Sequence, residues 1–176
     1  MMSRPRNFVV ACAILAALLG LVACGGSKPA SNKAIDACAL LTKADAEKIL
    51  GQPVKDAEHP IEGSETFLVT SCSYHVQGGT AMDRAVLIAT IPQTPDATTA
   101  QTAFDTGKKG AQANYNAAPV DVPGLGDAAY WVGGAGNNLF ILQGEANLTL
   151  SASSQQGDAP SPAIVELGKV VLGRLP

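Results

Sequence analysis

Apolar residues recur along this chain at two periods, and the switches between them mark out its elements. At 43–50, Ala46, Ile49 and Leu50 form a stripe at helical spacing. Thr42 and Asp45 stand where a capping box would sit, Gly51 where a helix ends left-handed, and Pro53 blocks continuation. Residues 66–76 (TFLVTSCSYHV) are β-branched and aromatic and predict a strand. The turn at 77–80 leads to a partner at 84–91 (RAVLIATI), apolar on both faces and so expected inside a sheet. Thr94-Pro95-Asp96 predicts the start of a second helix, with Ala97, Ala100, Ala103 and Phe104 on its narrow apolar face. Gly107 and Gly110 weaken its continuation, so 111–119 reads as loop. From Asp127 the period returns to two, and 128–132, 139–143 and 146–153 predict a three-strand meander. Its last strand places Leu148, Leu150 and Ala152 on one face and Asn147, Thr149, Ser151 and Ser153 on the other, so one face is expected to be wet. Ser161-Pro162 opens a final helix whose Ile164, Leu167, Val171 and Leu175 should dock on the sheet. The predicted order is α-β-β-α-β-β-β-α: an α+β fold with an antiparallel sheet of about five strands flanked by helices.

The first residues break this pattern. Arg4 and Arg6 precede an uncharged apolar run from Phe8 to Leu21, and small residues come next, which predicts a signal peptide over 1–23 and not part of the fold. Leu21-Val22-Ala23-Cys24 resembles the bacterial lipobox, which implies cleavage before Cys24 and a diacylglycerol on its thiol. Two or more acyl chains anchor stably, each buried methylene contributing about 0.8 kcal/mol. Residues 24–34, small and polar, read as a flexible tether of about 15–20 Å root-mean-square span. One domain is expected over 35–176.

Removing the leader changes the charge and the cysteine count. Of 12 basic residues Arg4 and Arg6 are lost, leaving ten against 15 acidic ones, a formal charge of −5. An acidic domain is not expected to bind nucleic acid. Cys12 leaves with the leader and lipid consumes Cys24, so Cys38 and Cys72 remain, and in an oxidising compartment such a pair is most simply a disulfide.

Three stretches in order resemble a class of small bacterial lipoproteins of actinobacterial type whose function is uncharacterised. They are Cys38-Ala39-Leu40-Leu41-Thr42 leading into 46–51, Cys72-Ser73-Tyr74, and Val122-Pro123-Gly124-Leu125-Gly126-Asp127-Ala128-Ala129-Tyr130. The resemblance implies an envelope-facing domain, a PsbP-like antiparallel sheet between helices, and the Cys38–Cys72 bridge. It brings no catalytic residues.

Other motifs carry little chemistry. Gly124-Leu125-Gly126-Asp127-Ala128-Ala129 fits a dinucleotide fingerprint, but a strand comes next where a helix is required. The glycines of 133–138 read as a hairpin loop, Asp56, Glu58, Glu62 and Glu65 as a solvated acidic stretch, and His59 as a solvated histidine. Cys72 and His75 have C-x-x-H spacing without the second ligand pair of a zinc site. A Ser73-His75-Asp83 relay lacks a nucleophile elbow. Tyr130 and Trp131 must point to opposite sheet faces, one into the core and the other toward a pocket or patch or beneath a second helix layer. With Asn147 and Thr149 they form the candidate ligand or partner surface. No metal or cofactor is expected. The expectation is a lipid-anchored, non-enzymatic envelope protein that binds an envelope protein or a hydrophobic small molecule. The alternatives are an envelope hydrolase using Ser73 and His75, or a structural assembly factor.

Overall fold

Hydrogen-bonding caps delimit the helices where the residue types demand them. The computed structural model describes residues 35–63, 67–92, 97–134 and 137–176. The leader, Cys24 and tether expected in 1–34, and the cap expected at Thr94-Pro95-Asp96, lie outside these residues. A single-turn helix α1 (Ala37–Leu40) opens the described chain, its N-cap Asp36 accepting from the Cys38 and Ala39 N–H groups. Helix α2 (Lys43–Leu50) has the predicted capping box between Thr42 and Asp45 and ends at Gly51 with φ 70°. Helix α4 (Pro162–Leu172) starts with Ser161 accepting from Ile164 N–H and proline in the first turn.

The strands are β1 (Ile61–Gly63), β2 (Phe67–His75), β3 (Arg84–Pro92), β4 (Val120–Asp121), β5 (Ala128–Val132), β6 (Asn138–Gln143) and β7 (Ala146–Ala152). They form one antiparallel sheet of order β1-β2-β3-β7-β6-β5-β4, so the α+β architecture is as predicted and the doubly apolar β3 is interior. The predicted order omits α1, β1 and β4. The two extra strands are edge pieces of three and two residues, too short to show a period in sequence.

The sheet's two faces are covered unequally. Helices α1, α2 and α4 pack on one face over a core that includes Cys72, Leu87, Trp131, Leu139, Leu148 and Ile164. On the other face lies α3 (Ala97–Tyr115), over a smaller cluster of Ala100, Phe104, Ala111, Tyr130, Val132 and Leu142. This corrects the loop expected from 111: the helix runs through Gly107 and Gly110 to Tyr115. Each glycine costs about 1 kcal/mol in a helix interior. Packing offsets that cost, because Ala100, Phe104, Gly107, Ala111 and Tyr115 form one stripe at helical spacing. At Gly107 a Cβ would sit 3.2 Å from Tyr130 Oη, so a side chain there would push the hydroxyl back by a few tenths of an ångström. Phe104 meets the Tyr130 ring edge-on at 5.0 Å, and Tyr130 stacks on Phe140 at 4.7 Å.

A disulfide joins Cys38 to Cys72, with Cα atoms 5.0 Å apart, and ties α1 to β2. Beyond α4, Arg174 donates to the Leu40 carbonyl at 2.6 Å and pairs with the Asp45 carboxylate, which also serves the Thr42 cap. Burial raises the Asp45 pKa, but hydrogen bonds from Arg174 and Thr42 and the guanidinium charge outweigh it and leave the carboxyl below its ordinary value. A carboxyl depressed on folding stabilises above its unfolded pKa, and that contribution is lost as pH falls through the folded value. Asp45→Asn is therefore expected to cost about 1 kcal/mol in urea unfolding at pH 7. The difference from the parent should shrink once the pH drops below about 4.

Candidate functional site

From Val69 onward strand β2 alternates. Thr70, Cys72 and Tyr74 are buried toward α1 and α2, while Val69, Ser71, Ser73 and His75 on the opposite face are half-buried. Register carries that second face across the sheet. Ser71 stands opposite Ile88, which stands opposite Thr149, and Ser73 opposite Val86, which stands opposite Ser151. All of these are half-buried. Helix α3 packs across β7 and β3 as well as β5 and β6, and its aromatic cluster lies at the β5–β6 end of the same rows, where Thr149 meets Phe140 and Phe140 meets Tyr130. What remains is a half-open platform on β2, β3 and β7, with hydroxyls flanking two aliphatic side chains.

The predicted surface residues separate on this frame. Tyr130 and Trp131 do face opposite ways, but both are interior, at 2% and 1% exposure, because α3 covers one and the three-helix layer the other. The expectation that one of them lines an open surface is corrected: a second helix layer covers it. Burial, with a smaller contribution from Tyr115, pushes the Tyr130 phenol up to about 12. Trp131 Nε1 donates to the Gly157 carbonyl at 3.1 Å and so holds down the loop before α4. Asn147 sits at the margin of α3, its amide donating to the Ala100 carbonyl at 3.0 Å, while its buried Oδ1 has no hydrogen-bond partner among the described residues. Thr149 alone of the four lies on the open platform.

The relay residues are not assembled. Asp83 pairs with Val76 and its carboxylate accepts from Thr80 N–H and Oγ1 at 2.8 Å, so it belongs to the hairpin turn. His75 has Arg84 opposite it in register and its Nε2 lies 3.8 Å from Glu58 Oε2. Ser73 exchanges backbone hydrogen bonds with Glu58, but among the described residues no hydrogen bond joins its hydroxyl to His75. The C-x-x-H pairing is also closed, because Cys72 is in the disulfide and faces away from His75.

No protein-family model, curated protein or solved structure matches the chain.

Two further features complete the surface. A groove of about 200 Å³ runs between α2 and α4, with Ile49, Leu167 and Val170 as its floor and Asp45, Lys48 and Glu166 at its rim; small-molecule sites usually exceed about 300 Å³. The glycine-rich stretch before β5 is a turn, with φ 77° at Gly124 and 63° at Gly126. A Cβ on Gly126 would stand 2.5 Å from the Leu142 carbonyl oxygen, so that glycine serves a close backbone approach. Nothing in the sequence pattern distinguished the platform from an ordinary wet face. Its limits depend on where α3 ends up, and only Ser71, Ser73 and Thr149 as polar alternates hinted at it.

Proposed function

We propose that this chain is a lipid-anchored extracytoplasmic protein whose domain binds an envelope component, a protein or a hydrophobic ligand, on the half-open platform of β2, β3 and β7, without catalysing a reaction. The observation that carries the reading is the Cys38–Cys72 disulfide, since such bonds persist in oxidising compartments. It closes the two cysteines left once Cys12 is assigned to the leader and Cys24 to the lipid. No helix of the described residues is long and apolar enough to cross a membrane, and the lipobox resemblance assigns attachment to Cys24. Against the hydrolase alternative stands the separation of Asp83 from Ser73 and His75.

Cys24→Ser is expected to abolish incorporation of labelled palmitate and move the protein out of the membrane fraction. Retention of label or of membrane attachment in that variant would defeat the anchoring assignment. A photo-crosslinking residue at Ile88 in the anchored protein is expected to give discrete adducts, with a residue at exposed Lys48 as control. Equal adduct yields at both positions, or none at Ile88, would remove the platform as the binding surface.

A further inference from the structure

Adjacent residues Glu58 and His59 project to opposite sides of the strip that runs along β2. Glu58 meets Ser73 and His75, whereas His59 Nε2 reaches Asp36 Oδ1 at 3.2 Å, beside the disulfide. One donor atom each from Asp36, Cys38 and His59 lies within 4.8 Å of the others. Cys72 contributes a second sulfur, bonded to that of Cys38. From these positions we propose that the dithiol form of this domain holds a zinc ion through Asp36, Cys38, His59 and Cys72, and that the disulfide form does not.

Two thiolates, an imidazole and a carboxylate make a four-ligand set suited to tetrahedral Zn2+. With metal–ligand bonds of about 2.0–2.3 Å, tetrahedral donors sit roughly 3.3–3.8 Å apart; Asp36 and His59 already stand at 3.2 Å, while Cys72 lies outside the group of three within 4.8 Å and has to swing toward it once the S–S bond is broken. Asp36 Oδ1 caps α1, and among the described residues no hydrogen bond engages its Oδ2. Asp36 and His59 are solvent-facing and give the ion a way in, while Cys72 is fully buried behind Cys38, to which it is bonded. In the oxidised form the sulfurs are spent on each other, and a disulfide sulfur is a poor ligand. A dithiol reductant opens the site. It gives up two electrons and two protons, the S–S bond breaks to two thiols, and the donor becomes a disulfide. Zinc then displaces both thiol protons to solvent. The site is independent of the platform and of the anchor.

The test uses the full chain carrying Cys12→Ser and Cys24→Ser, so that Cys38 and Cys72 are its remaining cysteines. It is reduced with dithiothreitol, desalted without air and titrated with Co2+ and then Zn2+. The expected result is one equivalent of Co2+ with a thiolate-to-cobalt charge-transfer band, displaced by Zn2+, and no such band from the oxidised chain. His59→Ala and Asp36→Asn should each weaken Zn2+ binding to the reduced chain on the order of tenfold or more. Neither should change the near-ultraviolet dichroism of the oxidised one. If reduction loosens the fold, Zn2+ should restore the Trp131 dichroism, and do so less well in His59→Ala. Absence of the band, or affinity unaltered by both substitutions whether or not the reduced chain stays folded, would overturn the proposal, leaving thiols that bind metal without a site.

Discussion

Reduction of the Cys38–Cys72 bond, or Cys38→Ser, is expected to lower the free energy of unfolding by about 4 kcal/mol. The bond closes a loop with a sequence separation of 34, and the chain-entropy model assigns about that much to a loop of this length. Domains of this size hold about 5–15 kcal/mol in all, so the reduced protein should sit close to its unfolding threshold. The effect should also have a local signature. Helix α1 has four residues, too few to be stable alone. Apart from the bond it is held by Ala37 and Leu40 packed in the core, by the Asp36 cap, by Arg174 on the Leu40 carbonyl, and by Thr70, whose hydroxyl donates to the Ile35 carbonyl at 2.6 Å. Amide exchange over 37–41 should accelerate on reduction more than exchange in β3 or β7. Urea curves that coincide with and without reductant would show that the bond contributes nothing to stability.

Trp131→Ala is the second large effect, expected to cost about 3–5 kcal/mol. The ring is 1% exposed within the core beneath α1, α2 and α4, and its N–H is the tie to the Gly157 carbonyl. Truncation opens a cavity and removes one tie of the 153–161 loop, which Ser153 N–H to the Arg84 carbonyl and Ser154 Oγ to the Ile49 carbonyl still hold. Trp131→Phe keeps most of the apolar contact and should lose mainly the hydrogen bond, about 1 kcal/mol. Far-ultraviolet dichroism is the suitable probe, because Trp131 is the chain's one tryptophan and its fluorescence disappears with it. A cost within 1 kcal/mol for the alanine variant would mean that this residue is not a core anchor, and would make it a surface candidate again.

Much of the fold was legible because it is written in local chemistry. Thr42, Asp45 and Gly51 specify both ends of α2, and Ser161-Pro162 the start of α4, through side-chain and backbone groups within a few residues of each other. Strand β5 occupies the predicted span, and β3, β6 and β7 differ from theirs by one residue at one end, because period-two alternation is itself a statement about which side chains share a face. The cysteine pairing came from counting and compartment, with no geometry needed. Where the structure departs from the sequence pattern, the deciding contact is remote. The length of α3 depends on Tyr130 and Phe140, residues in strands well beyond it, which offset the cost of Gly107 and Gly110. Edge strands β1 and β4 exist only because β2 and β5 offer them free hydrogen-bonding edges.

The candidate sites divide in the same way. By itself the sequence determined the alternation of β2 and β7, the surviving cysteine pair and the order of the main helices and strands, since each depends on neighbours within a turn or a pleat. It also established that Tyr130 and Trp131 face opposite ways. Only the tertiary structure decided that both are covered, that the Asp83 carboxylate is taken up by Thr80 in the hairpin turn, and how far α3 reaches over the second face. It alone brought His59 against Asp36 and Cys38, across more than twenty residues of chain. The physical reason is that covering a face, or gathering donors at one point, depends on the packing of whole layers, and no local period records which layer will lie above a given residue.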